Sequence, residues 1–143
     1  FEKELFVIVK KTINKIMIKD FLIISFTGKN NYIALRINNN FFIKKFQINI
    51  KNNEPLVDNI FKFLNQKKAN IDQNFSVIVN IGPGSFSGIR ISLSIGKGIK
   101  ISKGAKLYGY KDSSLDVFNR KNIELLIKKN LIENNLIKPV YLS

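Results

Sequence analysis

The stretch "FSVIVNIGPGSFSGIRISLSIGKG", residues 75–98, restricts the possible folds more than any other part of the chain. Its opening, "FSVIVNI" (75–81), is mostly β-branched and apolar, which predicts a strand buried on both faces. Such a strand belongs inside a sheet that is covered on both sides. Five glycines and a proline follow within residues 82–98, so the strand runs into a close-packed turn. The segment after the turn leaves two readings open. As a strand, "IRISLSI" (89–95) alternates apolar and polar residues. As a helix, it aligns Gly88, Ser92 and Gly96 at i, i+4 and i+8, a narrow ridge that another backbone can approach closely. Gly96 and Gly98 would each weaken that helix by about 1 kcal/mol relative to alanine.

The rest of the chain supplies partners for this unit. "DFLIISF" (20–26) reads as a second buried strand. "NYIALRIN" (31–38) and "FFIKKFQINI" (41–50) are rich in branched and aromatic residues. The Asn38-Asn39-Asn40 cluster between them suits a tight turn, because asparagine tolerates positive φ. Together these three runs predict an antiparallel meander. "EPLVDNIFKFLNQKK" (54–68) predicts a helix, with Pro55 in the first turn and Lys67 and Lys68 at the negative end. Leu56, Val57, Ile60, Phe61 and Leu64 give it one apolar face. "AKLYGY" (105–110) predicts a further strand. A helix is expected from Ser113 to Phe118, capped by Asp112 or Ser113, and another over 122–137. "KPVYLS" suits an edge strand. The order βββαβαβα is that of an α/β fold in which a meander feeds parallel units.

Composition closes off several chemistries. At 143 residues the chain is most simply one domain. It contains no cysteine and no histidine, which excludes disulfides, thiolate and imidazole metal sites, and Ser-His or Cys-His catalysis. No metal and no cofactor is expected. No apolar run approaches the roughly 18 residues of a membrane span. The formal charge of +14 invites a nucleic-acid partner. However, 21 lysines, 24 isoleucines and 19 asparagines make up nearly half the chain, a bias that enriches lysine whatever the function. Only three arginines occur, Arg36, Arg90 and Arg120, and Arg90 directly follows the glycine loop. Residues 1–16 precede the only methionine, Met17, and are expected to be an extension or fusion remnant; the competing reading is an amphipathic element packed on the body. Lys10, Lys11 and Lys15 make that segment a poor secretory signal, and a cytoplasmic setting is the default expectation.

The glycine loop invites a phosphate reading. A loop of the G-x-x-x-x-G-K-[ST] kind needs a lysine for the terminal phosphates and a hydroxyl for magnesium. Here Ile89 stands five residues after Gly84, and no Lys-Ser or Lys-Thr follows Gly88. A dinucleotide loop is nearer, with Gly82, Gly84 and Gly88 between strand and helix and Asp112 as a ribose carboxylate. The plainer reading is a turn that caps a helix beginning near Phe86. Phe86 would then be a core anchor and Arg90 a surface ion-pair partner. Even so, Gly82, Gly84, Ser85, Ser87 and Gly88, with Arg90, are candidate anion contacts.

The segment "GPGSFSGIRISLSIGKGIKISKGAKLYGYKDSSLDVF" resembles the TsaB family (YeaZ-like proteins), whose pattern reads "GPGSFTGLRIGL…KGLA…PL.GVSSLEAL". Gly82 to Ile91 match it nearly residue for residue, and Lys97-Gly98 and Ser113-Ser114-Leu115 fall in register. "FLIISFTGKNNYIAL" is similar to the family's "ILAIDTS…CSVAL", and "NNEPLVDNIFKFL" to its "HSERLLPLIDELL". The resemblance covers roughly residues 20–118. "IKPVYLS" is similar to the family's closing "PVYLR".

The resemblance implies an actin-like, sugar-kinase-like (ribonuclease H-like) ATPase-type domain with a mixed five-stranded sheet flanked by helices. It favours a helix over 89–103. It makes residues 17–121 a TsaB-like domain and 122–143 the remnant of a second domain. It implies a non-catalytic subunit of the machinery that places threonylcarbamoyladenosine beside the tRNA anticodon. The partners implied are a TsaD-like transferase and a TsaE-like ATPase, with tRNA reached indirectly or through the basic surface. Ser25 stands where the family has aspartate, and Asn52-Asn53-Glu54 where it has His-Ser-Glu, so no catalytic activity is expected. The partner interface would be a two-helix surface made by Gly88, Ser92 and Gly96 with Leu56, Ile60 and Leu64; a homodimer is also open. Two other classes stay open: a small basic RNA-binding module touching tRNA directly, and a degenerate nucleotide-binding domain.

Overall fold

In the computed structural model, residues 17–28, 31–46, 54–134 and 141–142 are described. The proposed extension (1–16), the end of the third strand (47–50), Asn52-Asn53, the end of the last expected helix (135–137) and most of "KPVYLS" lie outside them. Five strands form one sheet in the order β3-β2-β1-β4-β6. These are β1 (Phe21–Phe26), β2 (Asn31–Ile37), β3 (Asn40–Phe46), β4 (Ser76–Asn80) and β6 (Lys106–Tyr110). The meander pairs antiparallel, β1 with β2 and β2 with β3, whereas β4 and β6 run parallel to β1. The sheet is therefore mixed, as expected. The β2–β3 turn places Asn38 at φ 50° and Asn39 at φ 68°. Successive left-handed residues match the twist of a two-residue hairpin, which explains the asparagine cluster.

β1 and β4 are buried along their whole length, because both faces of the sheet are covered. On one face lie α1 (Glu54–Gln66) and α2 (Phe86–Lys103). There Leu22, Ile24 and Phe26 of β1 and Val77 and Val79 of β4 meet Ile60, Phe63 and Leu64 of α1 and Ile89 and Leu93 of α2. On the other face, Phe21, Ile23, Ile78, Tyr108 and Tyr110 meet Ile123 and Leu126 of α3 (Arg120–Lys128). Each of these large apolar side chains contributes about 1.5–3 kcal/mol on burial. α3, expected to belong to the remnant of a second domain, thus completes the second layer of this sheet.

Two expected helices come out differently. Instead of a helix over Ser113–Phe118 there is one 3₁₀ turn, Asp112–Ser114, with no side-chain cap. The chain leaves it so that Leu115 enters the lower core and Phe118 stacks on Tyr32. The helix expected over 122–137 stops at Lys128. Asn130 turns left-handed at φ 57°, and the Leu131 and Asn130 N–H groups bond back to the Leu126 and Ile127 carbonyls. That is the Schellman arrangement, and it frees Ile132 and Glu133 to reach the sheet edge. Glu133 and Gly109 then exchange both backbone hydrogen bonds, at 2.7 and 2.8 Å. Among the described residues, no helix is long and apolar enough to cross a membrane.

Candidate functional site

The glycine loop joins β4 to α2 at the C-terminal edge of the sheet. Here the chain doubles back over the end of β1, and space is the limiting quantity. A Cβ at Gly88 would lie 2.1 Å from the carbonyl oxygen of Phe26, and one at Gly84 would lie 2.9 Å from the Thr27 Cβ. Only glycine lets the first turn of α2 rest this closely on β1. The Gly82–Pro83 peptide bond is cis.

Most of the loop's backbone is already partnered. The Gly82 N–H donates to Asn80 Oδ1 at 2.9 Å, and the Ser85 N–H donates to the Thr27 carbonyl at 3.0 Å. Ser85 caps α2, its hydroxyl accepting from the Gly88 N–H at 3.0 Å. Gly84 and Ser85 form a short strand, β5, paired in parallel with β7 (Tyr141–Leu142). The donors of Gly82, Ser85 and Gly88 therefore serve the fold rather than an anion. "KPVYLS" does supply a strand, and that strand is spent on the glycine loop.

Asn80 is the hub of this edge. Its Nδ2 donates to Ser25 Oγ at 3.2 Å and to Asp112 Oδ1 at 2.9 Å. The Asp112 N–H returns to the Gly82 carbonyl at 2.9 Å. Ser25, the residue where an aspartate was expected from the family pattern, thus helps to tie β1, β4 and the β6 exit together. Asp112, the candidate ribose carboxylate, is held in the same network. Nothing in the sequence pattern singled out Asn80; the signal available was a polar residue ending an otherwise apolar strand.

The expected interface residues face the wrong way. Gly88, Ser92 and Gly96 are buried, and a Cβ at Gly96 would meet Leu107 of β6 at 2.7 Å. Ser92 returns its hydroxyl to the Gly88 carbonyl at 2.8 Å. Leu56, Ile60 and Leu64 are likewise in the core above the sheet. The small-residue ridge is real, but the backbone it admits is that of this chain's own sheet.

The outward side of the same two helices carries a different surface. Ser87, Ile91, Ser94, Gly98 and Ile101 recur along α2 in steps of four and three. That is the spacing of a seam that packs against another helix. Beside it runs a groove of about 590 Å³ between α1 and α2, bordered by Val57 and Phe61 on α1 and by Phe86, Arg90, Ser94 and Gly98 on α2. Phe61 is 40% exposed and Phe86 50% exposed, so Phe86 is not the core anchor that was expected. Arg90 lays its guanidinium 5.5 Å from the Phe86 ring centroid, and no carboxylate among the described residues pairs with it. A Cβ at Gly98 would meet nothing within 4 Å. An aromatic-rimmed, mainly apolar groove with small residues along one wall suits close packing by a helix.

No family model matches the sequence, and no curated protein matches it. Solved structures do. The chain is similar to YeaZ from Pseudomonas aeruginosa, with a TM-score of 0.58 and 15% identity, over 68% of this chain and 46% of that one. It is equally similar, at TM-score 0.58 and 15% identity, to a structure described as an uncharacterized protein with similarity to peptidase YEAZ from Pseudomonas aeruginosa, covering 68% of this chain and 45% of that one. The fold is thus shared with YeaZ, and the chain spans less than half the length of these structures.

Proposed function

We propose that the chain is a TsaB-like, non-catalytic subunit that docks a TsaD-like transferase for threonylcarbamoyladenosine modification of tRNA. The observation that carries this reading is the outward groove of α1 and α2, lined by the exposed Phe61 and Phe86 together with Ser94 and Gly98. An apolar surface of this kind on two adjacent helices invites a matching helix pair, giving a four-helix contact. The fold shared with YeaZ and the loop that resembles the TsaB family point to the same class. The mixed sheet, with its meander and two parallel strands, fits the actin-like ATPase architecture of that family.

A role without catalysis agrees with the composition. A peptidase of the Ser-His or Cys-His kind cannot be built in a chain that has neither histidine nor cysteine. Ser25 sits at the end of β1 as a neutral hydrogen-bond acceptor, where a metal-binding ATPase would need a carboxylate. The test is to co-express the chain with the TsaD-like protein of the same genome and measure co-elution. Co-elution that survives in the wild type and fails in Phe61→Asp supports the reading. Absence of any complex with the wild type overturns it.

A further inference from the structure

The lysines are spread along the sequence, but the topology gathers several of them at one end of the sheet. β1, β4 and β6 are parallel, so their first residues lie side by side, Phe21 beside Ser76 and Ser76 beside Lys106. α1 and α2, which feed β4 and β6, end at that same edge. Lys19 precedes β1, Lys68 follows α1, Lys100 and Lys103 occupy the last turn of α2, and Lys106 opens β6. All five are exposed. Lys19, Lys68 and Lys106 border one cavity of about 640 Å³. The end of α2 adjoins its wall: a Cβ at Gly104 would lie 4.0 Å from the Gln73 Cβ, and Gln73 stands between the cavity residues Asp72 and Asn74. Two carboxylates, Asp20 and Asp72, also border the cavity. Each accepts a backbone N–H, from Asn38 at 3.2 Å and from Asn74 at 2.8 Å. Among the described residues, the only ion pairs are those of Glu124 with Arg36 and Arg120, so none of the five lysines is paired with a carboxylate there.

The fold explains this charge only in part. Lysines in the last turn of a helix complement its dipole, which accounts for Lys100 and Lys103. Lys19 and Lys106 lie outside the helices. Lys68 is held at φ 54°, where glycine is less strained, so the backbone alone disfavours a lysine there. What Lys19, Lys68 and Lys106 share is the cavity they border. A single small phosphate is the wrong occupant, because Asp20 and Asp72 border the same space and the five cations stand on four separate segments. A polyanion crossing the rim meets the cations in succession. We propose that this end of the sheet binds the phosphate backbone of a folded RNA. Such contacts position a nucleic acid without reading its sequence. The choice of RNA rests on the proposed role in tRNA modification; the surface for a polyanion does not.

The test is a fluorescein-labelled RNA stem-loop titrated with the full chain alone and followed by anisotropy between about 50 and 200 mM salt. Micromolar binding that weakens steeply with salt is expected. Lys68→Gly with Lys106→Gln removes two cations from this end. Lys45→Gln with Lys111→Gln removes two from the opposite end, where Lys45 pairs with Tyr32 and Lys111 follows β6. The first pair should weaken RNA binding by at least about fivefold and lower the salt slope by about two. The second should cost less than about twofold. Lys68→Gly alone should weaken RNA binding while raising the melting midpoint, opposite signs that a folding defect does not produce. The inference is overturned if the wild type shows no saturable binding, if the two double variants lose affinity equally, or if polyglutamate of matched charge binds more tightly than the RNA. No transferase is present in this assay, so its failure leaves the co-elution test untouched, and failed co-elution leaves RNA binding to be read by itself.

Discussion

Adding one methyl group at each of three glycines on α2 should give three different outcomes. At Gly88 the new Cβ would sit 2.1 Å from the Phe26 carbonyl oxygen and 2.9 Å from its carbon. Both are backbone atoms of a central strand, so neither can swing aside. The first turn of α2 must lift off β1, an overpacking strain at the upper end of the usual 1–3 kcal/mol or beyond. Alanine returns about 1 kcal/mol of helix propensity, leaving a net loss of about 2 kcal/mol or more. At Gly96 the closest atoms are the Leu107 Cδ1 at 2.7 Å and the Val79 Cγ2 at 3.3 Å. The leucine end can rotate, so strain and propensity nearly cancel, to within about 1 kcal/mol. At Gly98 the space is open, and alanine should stabilise the isolated chain by about 0.5–1 kcal/mol. Urea unfolding of the three variants, compared at constant m-value, reads this order. With a thermal shift of about 3 °C per kcal/mol, Gly88→Ala should melt at least about 6 °C below the wild type. A Gly88→Ala variant as stable as the wild type would refute the close seating of α2 on β1. Destabilisation at Gly98 would show that the outward face is already covered.

Three further outcomes follow from the same geometry. Lys68 ends α1 in the left-handed region, at φ 54°, with the Ala69 N–H bonded back to Leu64, so Lys68→Gly should raise stability by about 0.5–1 kcal/mol in chemical denaturation. Ser85→Ala removes the cap of α2 and should lower stability by about 1 kcal/mol in the same assay. Tyr110 is raised above the ordinary tyrosine pKa by burial, so its neutral form favours the folded state. That contribution is whole below the unfolded value of about 10 and is lost as pH rises beyond it, by up to about 1.4 kcal/mol per pH unit. Absorbance titration should therefore show this phenol ionising only as the chain unfolds in alkali; ionisation in the folded protein at about pH 10 would contradict its burial.

Much of the sheet was legible from local pattern. The apolar runs of β1 and β4 could only be central strands, and three asparagines in a row could hardly be anything but the hairpin turn. The resemblance of the loop settled α2 as a helix where alternation and small-residue spacing competed. What pattern could not supply was direction. Gly88, Ser92 and Gly96 allow close approach by any backbone, and the sequence does not say whether that backbone is the chain's own or a partner's. The structure gives the ridge to β1, β4 and β6 and leaves Ser87, Ile91, Ser94 and Gly98 outside. Steps of four and three from Ser87, rather than steps of four from Gly88, trace this outward seam. Leu56, Ile60 and Leu64 lie in the core rather than at an interface for a related reason: the most apolar face of a helix goes to the core first. The helix over 122–137 was overextended because Ile132 continues an apolar rhythm, although it reaches the core only after the chain has turned at Asn130.

The proposed docking role rests on the outward groove, and Gly98→Glu tests it most directly. The position is open to solvent, so the side chain leaves the isolated fold intact while placing a charge in the apolar seam. Titration calorimetry against the TsaD-like protein should show wild-type binding and a loss of at least about tenfold, roughly 1.4 kcal/mol, in the variant, at a melting temperature no lower than that of the wild type. Equal affinity of the variant and the wild type would place the contact elsewhere and contradict the assignment.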